Sequence, residues 1–206
     1  MTLGAIYSLI ALGYTLVYGI LAMINFAHSE VLMLGSFAAL GLAFAAPALF
    51  GTGPFALAVM FAASMLASGL VNVLVERFCY RPLRHVSRLA PLISAIGVSI
   101  VIQNGVFLWV STQSLSFPEP VAIRQVQLGG ASISSLQLII LGSALVLMAL
   151  LHFLVEKTKM GKAMRACADD LQTAGLMGID ANRIIAFTFF VGGALGGAAG
   201  GLYGMN

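Results

Sequence analysis

Seventeen charged residues occur in this 206-residue chain, and all but one fall into three short windows. The first window holds Glu76, Arg77, Arg81, Arg84 and Arg88, and the second only Glu119 and Arg124. The third runs from Glu156 to Arg183, with Lys157, Lys159, Lys162, Arg165, Asp169, Asp170 and Asp180 between. The remaining charge is Glu30, alone in the first 75 residues. This partition separates long uncharged stretches from the segments that must lie in water, and it leaves one carboxylate inside the apolar part.

The stretches between windows are long enough to cross a bilayer, which takes about 20 apolar residues. Six segments qualify: about Thr2–Leu21, Val31–Ala46, Phe55–Val75, Leu89–Val110, Ser135–Val155 and Ile184–Met205. The chain is 60% hydrophobic and 8% charged, against roughly 25% charged in a soluble domain. The fold class is therefore all-α, a polytopic helical membrane protein of about six membrane segments. A transmembrane barrel would show alternating strands of about 10 residues instead. The first segment has no basic leader and is followed closely by a second, so it reads as a span rather than a signal peptide. A chain that starts this way is expected to begin inside a longer protein.

Lys and Arg concentrate in the first and third windows, which two spans separate, so both fall on the cytoplasmic side. The loop 111–134, with its single Arg124, then faces outward. The net charge of +3 reads as topology, and nucleic-acid binding is not indicated. Cys79 and Cys167 both lie in cytoplasmic windows, where thiols stay reduced, and no disulfide is expected. Pro47, Gly51, Gly53 and Pro54 punctuate the join between the second and third spans, Pro91 stands in the first turn of the fourth, and Phe117–Pro120 with Gly129-Gly130 makes the outer loop irregular.

Two segments carry distinct patterns. In the last span Gly192, Gly196, Gly200 and Gly204 recur every fourth residue, beside Gly193, Gly197 and Gly201. Such a face lets helices approach closely, either within the chain or against a second subunit. Between Lys159 and Asp180, Met160, Ala163, Met164, Cys167, Leu171 and Ala174 recur at helical spacing. Lys162, Arg165, Asp169 and Gln172 occupy other positions, with Arg165 and Asp169 spaced to pair. Gly178 suits the helix end and Asp180 the N-cap of the last span. This is a short surface helix, which rests on the membrane or docks on a partner.

The most polar stretch in the N-terminal block is Asn25-Phe26-Ala27-His28-Ser29-Glu30. A carboxylate at the bilayer centre costs about 2.5–3.5 kcal/mol on insertion scales, so such groups usually face a cavity or a partner. Either the stretch is a short cytoplasmic turn that hydrates Glu30, or the helix is broken there and lines a cavity. Gln103 and Asn104 are further pathway candidates, or an interhelical hydrogen bond. Enzyme signatures are missing: no HExxH, no Walker loop, no metal spacing, and no cofactor site. His85 and His152 read as solvated.

The stretches Ala11–Gly19, Met23–His28, Tyr80–Arg84, Leu92–Gly97 and Lys159–Asp170, continuing through Gly178-Ile179, resemble the inner-membrane permeases of branched-chain amino-acid ABC importers of the LivH type. They run through nearly the whole chain in order. The resemblance implies a single permease domain over 1–206 with a cytoplasmic coupling segment at 156–183. Lys162, Arg165, Asp169, Asp170 and Gly178 then belong to the element that docks on ATP-binding cassette ATPase subunits. The further partners implied are a second permease subunit, a periplasmic substrate-binding protein and membrane lipid. Asn25, His28 and Glu30 match a polar signature of the family and are expected near the pathway. Ser29 departs from the family's usual glycine, and the family extends beyond the position of Asn206, so a C-terminally incomplete permease is expected. A permease for another small solute, or a membrane enzyme or scaffold, is the alternative.

Overall fold

The computed structural model describes residues 2–49, 53–84, 86, 89–110, 117, 125–128 and 131–205, with backbone only at 45–49, 54, 126–128 and 131–133. Among these, the helices are α1 (Thr2–Leu21), α2 (His28–Leu49), α3 (Pro54–Val75, continued by a π-turn at Glu76–Tyr80), α4 (Leu89–Trp109), α5 (Ser135–Lys157), α6 (Lys159–Asp169), α7 (Leu171–Leu176) and α8 (Ala181–Met205). Five described helices are long and apolar enough to span a membrane, and α2 is a shorter apolar helix over His28–Phe44, where six spans were expected. The all-α, multi-pass architecture stands.

Three boundaries differ from expectation. α2 passes Pro47 and continues to Leu49. α3 continues through its π-turn to Tyr80, so the first charged window begins inside a helix. The loop before α5 holds an antiparallel hairpin, β1 (Gln125–Leu128) paired with β2 (Ala131–Ser134), Gln125 opposite Ser134. Gly129 and Gly130, between the two strands in sequence, lie outside the described residues. His85, Arg88, Glu119 and Arg124 lie outside the described residues.

α8 is the axis of the bundle, and an unbroken run from Gly192 to Leu202 is buried. Its glycines explain why. A Cβ on Gly193 would meet the Asn72 side chain and the Ser68 carbonyl of α3, and one on Gly200 the Ser36 hydroxyl of α2. A Cβ on Gly192 would lie 2.8 Å from the Gly13 carbonyl of α1. Both glycine faces are therefore consumed by intramolecular packing, the close small-residue approach that holds helices together in lipid.

α3 has the inverse of a soluble helix's pattern. Ser64, Ser68, Asn72 and Glu76, four residues apart, are fully buried, whereas Leu66, Leu70 and Leu74 are exposed. The Ser64 hydroxyl donates to the Gly197 carbonyl (2.5 Å), that of Ser68 to the Val31 carbonyl (2.8 Å) and the Asn72 amide to the Phe189 carbonyl (2.7 Å). Polar atoms face protein and leucines face lipid, as a bilayer requires.

Two apolar clusters fill the interior. One gathers Val17, Leu21, Val75, Tyr80, Met164, Cys167, Ile184 and Phe189, and the other Ile6, Leu9, Ile140, Leu195, Ala199 and Leu202. Cys79 and Cys167 are free and buried. Along α1 and α8 the seam between the clusters falls at Gly13 and at Gly192-Gly193.

Candidate functional site

At that seam the first two spans are joined by an irregular link. α1 ends at Leu21, Ala22 has φ 50, and α2 does not begin until His28. A positive φ is uncommon for a residue with a Cβ, so the turn is held by what surrounds it. Asn25 does most of the holding and is buried. Its Oδ1 accepts from the Ala27 amide (3.2 Å), an Asx-turn leading into α2. Its Nδ2 donates to Asn72 Oδ1 at 3.1 Å, and its carbonyl accepts from the His28 amide at 3.3 Å. The Tyr80 hydroxyl donates to the Ile24 carbonyl (3.0 Å) and also reaches Asn25 Oδ1 (3.3 Å).

The link lies inside the bundle. Asn72 is eight residues before the end of the π-turn at Tyr80, and Phe189 eight residues into α8. Irregular backbone at membrane depth is tolerated only where protein or a water-filled cavity covers it. Here both hold. A cavity of about 350 Å³ adjoins the link, lined by Ile10, Tyr14, Asn25, Phe26, His28, Ser29 and Leu32. The link is therefore both an irregular turn between the first two helices and one wall of this cavity.

His28 fills a slot made by two glycines. Cβ atoms on Gly13 and on Gly196 would each lie 3.3 Å from its Cε1, and Tyr14 meets the ring edge-on at 5.9 Å. Among the described residues neither ring nitrogen makes a hydrogen bond. A buried polar group left this way costs about 1–3 kcal/mol.

The buried carboxylate is not the one isolated in sequence. Glu30 is half-buried and accepts from the Ser29 hydroxyl at 2.8 Å. Glu76, assigned by its neighbours to a solvated window, is instead fully buried. Its Oε1 pairs with Arg81 Nε at 3.3 Å, and its Oε2 has no hydrogen bond among the described residues. The signal that reveals it is the four-residue series Ser64, Ser68, Asn72, Glu76. Gln103 and Asn104 are not brought to the link. Both are exposed on α4, and the Asn104 amide bonds its own helix at Ile100.

At the basic end, α6 and α7 close the bundle. Met164, Cys167 and Ala174 enter the same apolar cluster as Val17 and Tyr80. The expected single helix is two, because Asp170 leaves helical geometry (φ −155, ψ 113) to cap α7. Its carboxylate accepts from the Gln172 amide (2.8 Å) and the Thr173 hydroxyl (2.5 Å). The Arg165–Asp169 pair does not form: the Arg165 guanidinium donates instead to the Val155 carbonyl at the end of α5. Gly178, at φ 83, follows a paired closure of α7 in which its amide meets Gly175 and that of Ile179 meets Ala174. Asp180 caps α8, accepting from Asn182 and Arg183 amides. Lys162 and Asp169 are exposed, and their side chains carry no bond among the described residues.

The Thr173 hydroxyl and Gln172 amide hold the Asp170 carboxyl below the usual aspartate range. The cap is therefore complete at neutral pH and is lost only as pH falls through that lowered value. Asparagine caps as well as aspartate. Asp170→Asn should keep amide exchange across Leu171–Met177 near wild type at pH 7, and Asp170→Ala should accelerate it several-fold. Equal acceleration in both would mean that charge, rather than capping, holds α7.

A family model described as branched-chain amino acid transport system / permease component matches residues 1–206. The high-affinity branched-chain amino acid transport system permease protein BraD of Pseudomonas aeruginosa is 41% identical over all of this chain and 69% of its own length. LivH of Escherichia coli K12, of the same description, is 40% identical over 99% of this chain and 68% of its own. A probable LivH of Methanocaldococcus jannaschii is 31% identical over 94% of this chain and 61% of its own. No solved structure matches. The chain belongs to the family of permease components of branched-chain amino acid transport systems.

Proposed function

We propose that this chain is a membrane-spanning permease subunit of an ATP-driven importer for branched-chain amino acids, seated in the bacterial inner membrane. The observation that carries the reading, beside the family, is the irregular link between α1 and α2 with its adjoining cavity. That cavity falls in the size range of small-molecule sites, about 300–1,000 Å³, and its Ile10, Phe26 and Leu32 walls suit an aliphatic side chain. Asn25, His28 and Glu30 lie in or beside the pathway in this reading. Gln103 and Asn104 join it only from the exposed side of α4, across which a second permease subunit would complete the channel. A periplasmic binding protein delivers substrate to the outer face.

The α6–α7 segment is the contact with the ATPase subunits. Its free polar groups, Lys162 and Asp169, are the docking charges. Arg165 and Asp170 are engaged within the chain and shape the segment. ATP-driven closure of the ATPases then moves the segment, and the spans rearrange around the link.

Labelled leucine uptake by cells carrying the full-length permease and its partners tests the reading. Asp169→Arg and Lys162→Glu should each cut uptake about tenfold with membrane insertion unchanged. Glu30→Gln should lower uptake more than protein level. Wild-type uptake in all three would contradict the docking and pathway roles.

A further inference from the structure

The motif Tyr80-Arg-Pro-Leu-Arg84 bonds two distant parts of the bundle. α3 ends in a π-turn, closed by the Arg81 amide on the Glu76 carbonyl at 2.8 Å. On one side of this turn the buried Tyr80 ring packs on Phe189 (centroids 5.2 Å apart). Its hydroxyl proton is shared by the Ile24 carbonyl and Asn25 Oδ1, both in the irregular link. On the other side, the Arg81 guanidinium pairs with Glu76 and reaches the Asn182 carbonyl (3.4 Å), while Arg84 donates to the Asn182 side-chain oxygen. Asn182 is the second residue of α8, directly after the α6–α7 segment and its Asp180 cap.

A π-turn carries one residue more than an α-turn and is commonly found at functional sites. If it reverts to α-geometry, the residues after it turn by about 100°, one α-helical step. Such a reversion would define a second register, and the π-register is the one that holds Tyr80 against Ile24. A two-register element touched from both sides is the physical requirement for transmitting a displacement.

We propose that the Glu76–Tyr80 π-turn couples the first turn of α8 to the α1–α2 link, with Tyr80 as the positioning residue for the pathway. Displacement of the α6–α7 segment pulls Asn182. Arg81 and Arg84 carry the pull to the π-turn, and the Tyr80 hydroxyl gives or withholds the donor that fixes Ile24 and Asn25. The inference rests on the importer reading, because it takes α6–α7 as the place where the ATPases act.

The test uses the full-length permease assembled with its ATPase and second permease subunits in vesicles. Tyr80→Phe removes the hydroxyl and keeps the buried ring. ATP hydrolysis should stay within about twofold, while leucine uptake per ATP falls about tenfold, the scale of one hydrogen bond. Asn182→Ala should lower the same ratio, and the double variant should be no worse than the poorer single one, because both break one link. An unchanged ratio in Tyr80→Phe, or multiplying effects in the double variant, would overturn the proposal while leaving the importer reading in place. Wild-type vesicles that took up no branched-chain amino acid would contradict the importer reading instead. Amide exchange at Ile24–Ala27 then still decides the link: Asn182→Ala accelerates it if the two parts are coupled, and an unaltered rate overturns the proposal.

Discussion

Arg81→Ala lowers the stability of the detergent-solubilised protein by about 3 kcal/mol, the low end of the cost of stranding a buried charge. Glu76 is the reason. Its side chain is 1% exposed, Arg81 is ion-paired with it while the Arg84 cation also bears on it, and Oε2 lacks a hydrogen bond among the described residues. The low end applies because Arg81 itself is 34% exposed. For a chain of this size the loss corresponds to a fall of roughly 6–12 °C in the unfolding midpoint. A thiol-reactive dye reads it directly, since Cys79 and Cys167 are both buried. Arg183→Ala is the control: its pair with Asp180 is 87% and 51% exposed, and exposed pairs contribute little. Equal midpoints for the two variants would show that Glu76 does not depend on Arg81.

Gly197→Leu abolishes the folded state, and Gly197→Ala costs about 3 kcal/mol, the upper range for overpacking. A Cβ here would run into the Ser64 carbonyl and lie 2.7 Å from the Ser68 Cβ and Oγ. Neither is the far end of a flexible chain, so the α3–α8 crossing itself would have to open. The same insertion would disturb the Ser64 hydroxyl's bond to the Gly197 carbonyl. Gly142→Ala on α5 has nothing within 4 Å and should be neutral or stabilising by up to about 1 kcal/mol, as expected of glycine in a helix. A tolerated leucine at 197 would mean that α8 is not the packed axis of the bundle.

The spans were legible because charge is nearly absent between the windows, and the caps because Asp180 and Gly178 stand where helix ends need them. Three features were not legible, each for a physical reason. Glu76 sits among arginines in sequence, so counting neighbours placed it in water; its burial follows from α3 continuing one more turn. That turn is π, and no residue pattern marks one. Arg165 and Asp169 have the spacing to pair, but an exposed pair gains only tenths of a kcal/mol. The open carbonyl of Val155 at the end of α5 takes the guanidinium instead.

The link at Asn25–Glu30 was half legible. Its polar composition pointed to a break or a hydrated turn, but judging which side chains share a face assumed a regular helix. The Asx-turn at Asn25 removes that assumption, turning Asn25 and His28 inward and leaving Ser29 and Glu30 more open. Its partners, Asn72 and Tyr80, come from 47 and 55 residues away, beyond any local pattern. The glycine series was legible as a close-packing face, and the structure shows that α1, α2 and α3 occupy it.

Purification of the full-length protein from its native membrane, with co-purifying partners identified by mass spectrometry, tests the importer reading at its centre. The account predicts recovery of soluble ATP-binding subunits and a second permease, with the ATP-binding subunits lost on Asp169→Arg and the second permease retained. Recovery of the chain alone at full yield, or of ATP-binding subunits unaffected by that reversal, would contradict it.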